Sequence, residues 1–237
     1  MTRVGALSHW KGRATPCDGS AALEATRLAS GGITGPLGVF EGNKGFIEAI
    51  AGPFEIDWDH EDLERITATI LKEFNAEIHS QTAIEAALDL KLHYGFAPQD
   101  IATVELEVFD VAYNIIGGGD EGDKTLVTTK EDADHSLPYL IAVALLDGTV
   151  MPAQYDPARI QSADVPELLC RVIVRPNRSY SRRFPDEMMS RVMVTLHNGL
   201  QFDLERRDYL GFSTNPMSWH DVRKKFMTLA SPHAPID

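Results

Sequence analysis

The segment Leu137-Pro-Tyr-Leu-Ile-Ala-Val-Ala-Leu-Leu-Asp147 constrains this chain more than any other. It is apolar almost throughout, is followed by Gly148, and is preceded by Asp134-His135-Ser136. Its length suits a helix, Gly148 stops it, and Pro138 is acceptable because it falls in the first turn, where a backbone N–H has no helical partner anyway. Such a helix needs a core around it, and a chain of 237 residues is long enough to build a sizeable one. No apolar run reaches the roughly 18 to 20 residues that a bilayer-spanning helix requires. The expectation is a soluble protein with no membrane partner.

The rest of the chain supplies partners for that helix. Ser80–Tyr94 places Ala83, Ile84, Ala87, Leu88 and Leu92 at helical spacing and meets Gly95, so it predicts a second helix. Ile101–Phe109 alternates apolar and polar residues, the pattern of a half-buried strand. Leu168–Val174 predicts another strand, and Arg191–Leu196 and Gln201–Glu205 flank an Asn198-Gly199 turn, the signature of a β-hairpin. Ile66–Leu71 alternates and is β-branched, so it too reads as a strand. Further helices are expected over 18–31, capped by Asp18 or Ser20, over 40–51, and over roughly 218–229. Together these predict an α+β fold: a mostly antiparallel sheet with helices on one face.

Charge and cysteine content limit function. The net charge of −13 argues against nucleic acid as a partner, which needs a basic face. An acidic protein binds an anionic substrate only where local Lys, Arg, His or helix N-termini override the global field. Two distant cysteines, Cys17 and Cys170, do not make a disulfide framework, and the N-terminus lacks the pattern of a signal peptide. A reducing compartment is expected: the cytoplasm, or the mitochondrial matrix in a eukaryote.

Candidate chemistry gathers in front of the apolar helix. Ser136 or Asp134 can cap it, leaving backbone N–H groups at its start. His135 and Tyr139 are four residues apart and share one face if the helix reaches back to His135. Imidazole, phenol and a helix N-terminus would suit a carboxylate substrate undergoing proton transfer. The alternative is that these residues only cap, with Tyr139 in the core. Asp132, Asp134 and His135 match no metal-binding spacing, so neither metal nor cofactor is expected. Upstream, Lys72 at a strand end, near His79 and a helix start, can hold a carboxylate. The alternative is an exposed lysine with Ser80 as a cap. Gly117-Gly-Gly119 and Gly42…Gly45 lack phosphate-loop context and read as turns.

Five segments in order resemble the MmgE/PrpD family: Ser8-His-Trp-Lys11; Gly35-Pro36…Phe40-Glu-Gly42…Gly45-Phe46; Lys72-x-Phe-x-Ala-Glu-x-His79-Ser-Gln-Thr-Ala83; Asp132-Ala-Asp-His-Ser136-Leu-Pro-Tyr139…Leu-Leu-Asp-Gly148; and the hairpin ending near Gly211. The resemblance covers nearly the whole chain. It implies a metal-independent lyase acting on a small polycarboxylate, as 2-methylcitrate dehydratase and cis-aconitate decarboxylase do. It also implies a homodimer whose subunits each pair a large helical domain with a smaller α/β domain. On that pattern residues 1–52 are the end of the helical domain and its linker, 53–212 the α/β domain, and 213–237 a helix returning toward the helical domain. His135 would transfer a proton, Tyr139 would donate to a hydroxyl or carboxylate, Lys72 and Lys11 would anchor carboxylates, and His79 and Ser136 would contact substrate. There are departures. The chain is about half the family's length and is expected to lack most of the helical domain, with the catalytic histidine and aspartate found there. That half would have to be supplied in trans, or the chain would be a non-catalytic partner. Asn75 stands where the family commonly has proline.

Overall fold

The computed structural model describes residues 8–233, apart from the side chains of Lys11 and Arg65. The chain divides into two compact units, Met1–Ala68 and Thr69–Asp237.

In the first unit a helix spans Ala14–Ser30. It begins four residues ahead of the expected start, since neither Asp18 nor Ser20 caps it; Arg13 stands at the N-cap with no side-chain hydrogen bond. None of its residues is buried. Residues 40–51, expected as a helix, are mostly turns, with a single π-helical turn at Ile47–Ala51 closed by Gly52. The strand expected at Ile66–Leu71 does not form. Arg65–Ala68 is a 3-10 turn. A strand requires a neighbour to pair its N–H and C=O groups, and β-branched alternation cannot supply one.

The second unit is built on a four-stranded sheet: β1 (Ile101–Val108), β2 (Val172–Pro176), β3 (Ser190–Leu196) and β4 (Gln201–Arg206), in the order β2-β1-β3-β4. β1 pairs with β3, and β3 with β4, antiparallel; β1 pairs with β2 parallel. The sheet is therefore mixed, and the fold is α+β. The hairpin forms as expected, with Gly199 at φ +84° in its turn. Strand β2 starts later than predicted, because Leu168 and Leu169 end a short helix, Asp164–Leu169, and bury themselves there.

Alternation sorts the sheet residues. Val104, Leu106, Val108, Val192 and Val194 are wholly buried, while Gln201, Asp203 and Glu205 are exposed. The helices Gln81–Tyr94 and Leu137–Asp147 pack on the apolar side and on each other. Both end as predicted, at Gly95 (φ +66°) and Gly148 (φ +74°). The Leu137–Asp147 helix buries every residue from Leu137 to Leu145, so it is the centre of the core. Its enclosure removes from water apolar side chains worth roughly 1.5–3 kcal/mol each. The Gln81–Tyr94 helix departs from its predicted face in one respect: Leu90 is buried, while Leu92 is 85% exposed. The last helix is Trp219–Ala230, capped by Ser218 and Asp221, which hydrogen-bond each other's backbone N–H groups. Among the described residues no helix is long and apolar enough to cross a membrane.

Candidate active site

Two irregular segments meet in front of the core. The first, Thr69–Ser80, has little regular structure and is held by outside bonds. Leu71 donates its N–H to the Gly211 carbonyl at 2.8 Å. Phe74 and Gln81 bond each other twice, backbone to side-chain amide, at 3.0 and 3.3 Å. Lys72 follows no strand, contrary to expectation. It lies exposed, and its ammonium donates to the Ala76 carbonyl at 2.8 Å. Lys225, from the last helix, donates to the Lys72 carbonyl. Ser80 precedes the Gln81–Tyr94 helix but makes no side-chain cap bond; its hydroxyl donates to the Glu77 carbonyl.

The second segment is Thr129–Tyr139. A single helical turn, Lys130–Ala133, opens with a reciprocal cap between Thr129 and Asp132. That arrangement consumes the Asp132 carboxylate, which accepts from Thr128 and Thr129. These hydrogen bonds hold its pKa low although burial, the largest single influence, acts the other way. Asp134 closes the turn. Its carboxylate takes the Lys130 ammonium at 3.1 Å and contacts Nδ1 of its neighbour His135. The long helix then starts at Leu137, not at His135. His135 and Tyr139 therefore do not share a helical face. Ser136 is the cap, accepting from the Tyr139 N–H at 3.1 Å.

Burial separates the candidates. His135 is 3% exposed, Ser136 1% and Tyr139 0%. The Tyr139 hydroxyl donates to the Gln154 carbonyl, as a satisfied core tyrosine does. Burial pushes its pKa up to about 12, so it stays a neutral donor at ordinary pH. Tyr155, behind it, gives its hydroxyl to the Asn75 carbonyl and is likewise raised by burial. Lys11 lies in the 3-10 turn His9–Arg13; its side chain is outside the described residues.

The two segments are joined by a residue that the sequence did not single out. Glu77 donates its backbone N–H to the Asp134 carbonyl at 3.3 Å. Its carboxylate, 8% exposed, accepts from the His79 N–H at 2.7 Å. One of its oxygens lies 2.9 Å from His79 Nδ1, a charge-pair contact rather than an aligned hydrogen bond. Burial, the largest influence, raises the Glu77 pKa, but the bonds and charge of His79, with a further contribution from His135, bring it below the ordinary value. Tyr209, 1% exposed, is raised to about 12, first by burial and then by the Glu77 charge. The lone hint in the sequence is an acid two residues before His79. What gives it meaning is a contact with Asp134 that no local pattern encodes.

The geometry thus brings Glu77, His79, Asp134 and His135 together as alternating acids and imidazoles. Lys72 stands at the open end of the first segment. Among the described residues no group of His, Cys, Asp and Glu is arranged to hold a metal ion. A groove of about 640 Å³ is lined by Asp89, His93, Tyr94 and Arg206 among others and by none of these candidates.

A cis-aconitate decarboxylase of Mus musculus is 25% identical over 224 residues, covering 88% of this chain and 43% of that protein. A 2-methylcitrate dehydratase of Cupriavidus necator is 26% identical over 199 residues, covering 78% of this chain and 40% of that protein. The 2-methylcitrate dehydratase of Escherichia coli (strain K12) is 34% identical over a shorter stretch of 86 residues, 35% of this chain and 17% of that protein. The chain spans less than half the length of these curated relatives. The family model of the MmgE/PrpD C-terminal domain matches residues 74–237, from the Glu77–His79 turn through the sheet to the last helix. This chain belongs to the MmgE/PrpD family and carries its C-terminal domain.

Proposed function

We propose that this chain supplies one wall of a lyase site for a small polycarboxylate, removing water from a 2-methylcitrate-like substrate. One observation carries this reading: the Glu77–Asp134 bond joins the lysine-bearing segment to the histidine-bearing turn. Elimination of water needs a base for a carbon-bound proton, an acid for the departing hydroxyl, and cations for the carboxylates. His135 is assigned proton transfer, with Asp134 as its carboxylate partner. Lys72, exposed and followed by the His79 turn, is assigned a carboxylate. His79 and Ser136 border the substrate. Tyr139 gives its hydroxyl to Gln154, so it donates to substrate only by exchanging that carbonyl for a substrate oxygen. In this reading side chains alone carry the chemistry, without metal or cofactor.

The chain covers 43% and 40% of two of its longer-matching relatives. The reading therefore includes an opposite wall, contributed by a helical half or by a second subunit. Decarboxylation of cis-aconitate is the second reading; the decarboxylase matches 88% of this chain. Both substrates are offered to one preparation, with and without the helical half in trans, and formation or loss of the unsaturated acid is followed by ultraviolet absorbance. His135→Ala is expected to reduce turnover by about a hundredfold or more. Near-normal turnover of that variant removes His135 from proton transfer. Absence of turnover on either substrate, with the helical half present, refutes the lyase reading.

A further inference from the structure

Glu77 is a buried acid to which the proposed reaction gives no part. It is 8% exposed, it belongs to a short turn, and it touches both segments of the site. The simplest account is local. Its carboxylate accepts the His79 N–H at 2.7 Å and so caps the Ile78–Ser80 turn. An amide oxygen would do that equally well, and an amide costs far less to bury than a carboxylate. The remaining surroundings call for charge. His79 Nδ1 lies 2.9 Å from the other carboxylate oxygen. The His79 ring is walled by Phe109 and Phe184, with centroids 5.5 and 5.9 Å away. In such apolar surroundings a charge–imidazole contact is stronger than in water, and its loss is felt more. The same residue's N–H reaches the Asp134 carbonyl, next to His135.

We propose that Glu77 is a positioning residue whose carboxylate is the charge partner of His79, fixing that imidazole at the edge of the site. The depressed pKa of Glu77 agrees, since His79 and then His135 are among the influences that overcome its burial. Glu77 touches no reacting atom in this account. It acts through His79, and so the inference rests on the proposed placing of His79 beside the substrate.

Glu77→Gln separates the two accounts, because glutamine keeps the cap acceptor and removes the charge. In the chain itself, long-range proton–nitrogen spectra of the imidazoles are recorded for the parent and Glu77→Gln. The ring-nitrogen signals of His79 are expected to move, with His60 and His220 as unchanged references. Unmoved His79 signals overturn the proposal. In the active assembly, kcat of Glu77→Gln is expected to fall at least tenfold with KM within about twofold, and with the thermal midpoint nearly unchanged. A variant with parental kcat, beside a His135→Ala variant that is impaired, overturns the role of Glu77 and leaves that of His135 standing. Should Glu77→Gln fail to fold, Glu77→Asp, which keeps the charge and shortens the reach, is expected to fold with the His79 signals moved; parental signals refute the proposal.

Discussion

Gly211 sits where the backbone allows nothing else. Its φ is +111°, and a Cβ added there would lie 2.5 Å from the Leu71 carbonyl oxygen and 3.0 Å from its carbon. Both are backbone atoms, so no side chain can swing away to make room. Gly211→Ala therefore carries two penalties. Left-handed backbone costs an L-residue about 1–2 kcal/mol. Moving the chains apart also breaks the 2.8 Å bond from the Leu71 N–H to the Gly211 carbonyl, a further ~0.5–1.5 kcal/mol. The sum is roughly 2–4 kcal/mol with some allowance for the displaced backbone. Gly148 provides the control: its φ is +74°, but nothing lies within 4 Å of an added Cβ, so Gly148→Ala carries the conformational penalty alone, about 1 kcal/mol. Urea unfolding of parent and both variants measures the difference. Gly211→Ala is expected to lose at least ~1 kcal/mol more than Gly148→Ala. Equal losses would refute the close approach as the reason for glycine. Because Leu71 precedes Lys72, the same variant is expected to weaken any carboxylate binding that depends on Lys72.

Two other perturbations test how the site is buttressed. Tyr139 and Tyr209 are each raised from 10.0 to about 12, chiefly by burial, which favours the neutral phenol in the folded state. Their contribution is whole below pH 10 and is lost as pH rises from 10 toward 12, on the order of 1–3 kcal/mol each. Tyr139→Phe is expected to lose about 1 kcal/mol at neutral pH with its bond to Gln154, and to show a shallower alkaline decline. Urea midpoints from pH 8 to 12 decide it, and parallel curves would count against buried ionisation. Arg159 grips Asp147 with two bonds, at 2.9 and 2.8 Å, and reaches Asp164 at 2.8 Å. Burial, the largest influence on Asp147, raises its pKa, but Arg159 and Gln154 hold it below its ordinary value; Arg159 depresses Asp164 as well. Arg159→Met is expected to cost about 1–2 kcal/mol at pH 7. Because the carboxylates are depressed, that difference is present above their unfolded pKa of 3.8 and shrinks as pH falls through it. A cost that is the same at pH 3 and pH 7 would point to lost packing instead.

The elements that the sequence alone determined are those whose cause is local. Helical spacing from Ala83 to Ala87 with Gly95 beyond, the apolar run from Leu137 with Ser136 before it and Gly148 after, and Asn198-Gly199 between alternating strands all act through neighbours in the chain. The α+β class follows from their order, and the five motifs identified the family. Decisions between distant segments were out of reach. Ile66–Leu71 has the alternation of a strand but no partner to pair with, and β1 and β2 lie parallel although the sequence between them could not announce it. Leu92 faces outward at the end of its helix because the core stops short of it. The candidate site divides the same way. Lys72, His79, His135, Ser136 and Tyr139 are legible as residue types near helix starts. That Tyr139 spends its hydroxyl on Gln154, that the helix begins after His135, and that Glu77 ties the two segments together were settled by tertiary packing. Sequence spacing carries the energies of the next few residues; a bond between Glu77 and Asp134 exists only once the core between them has closed.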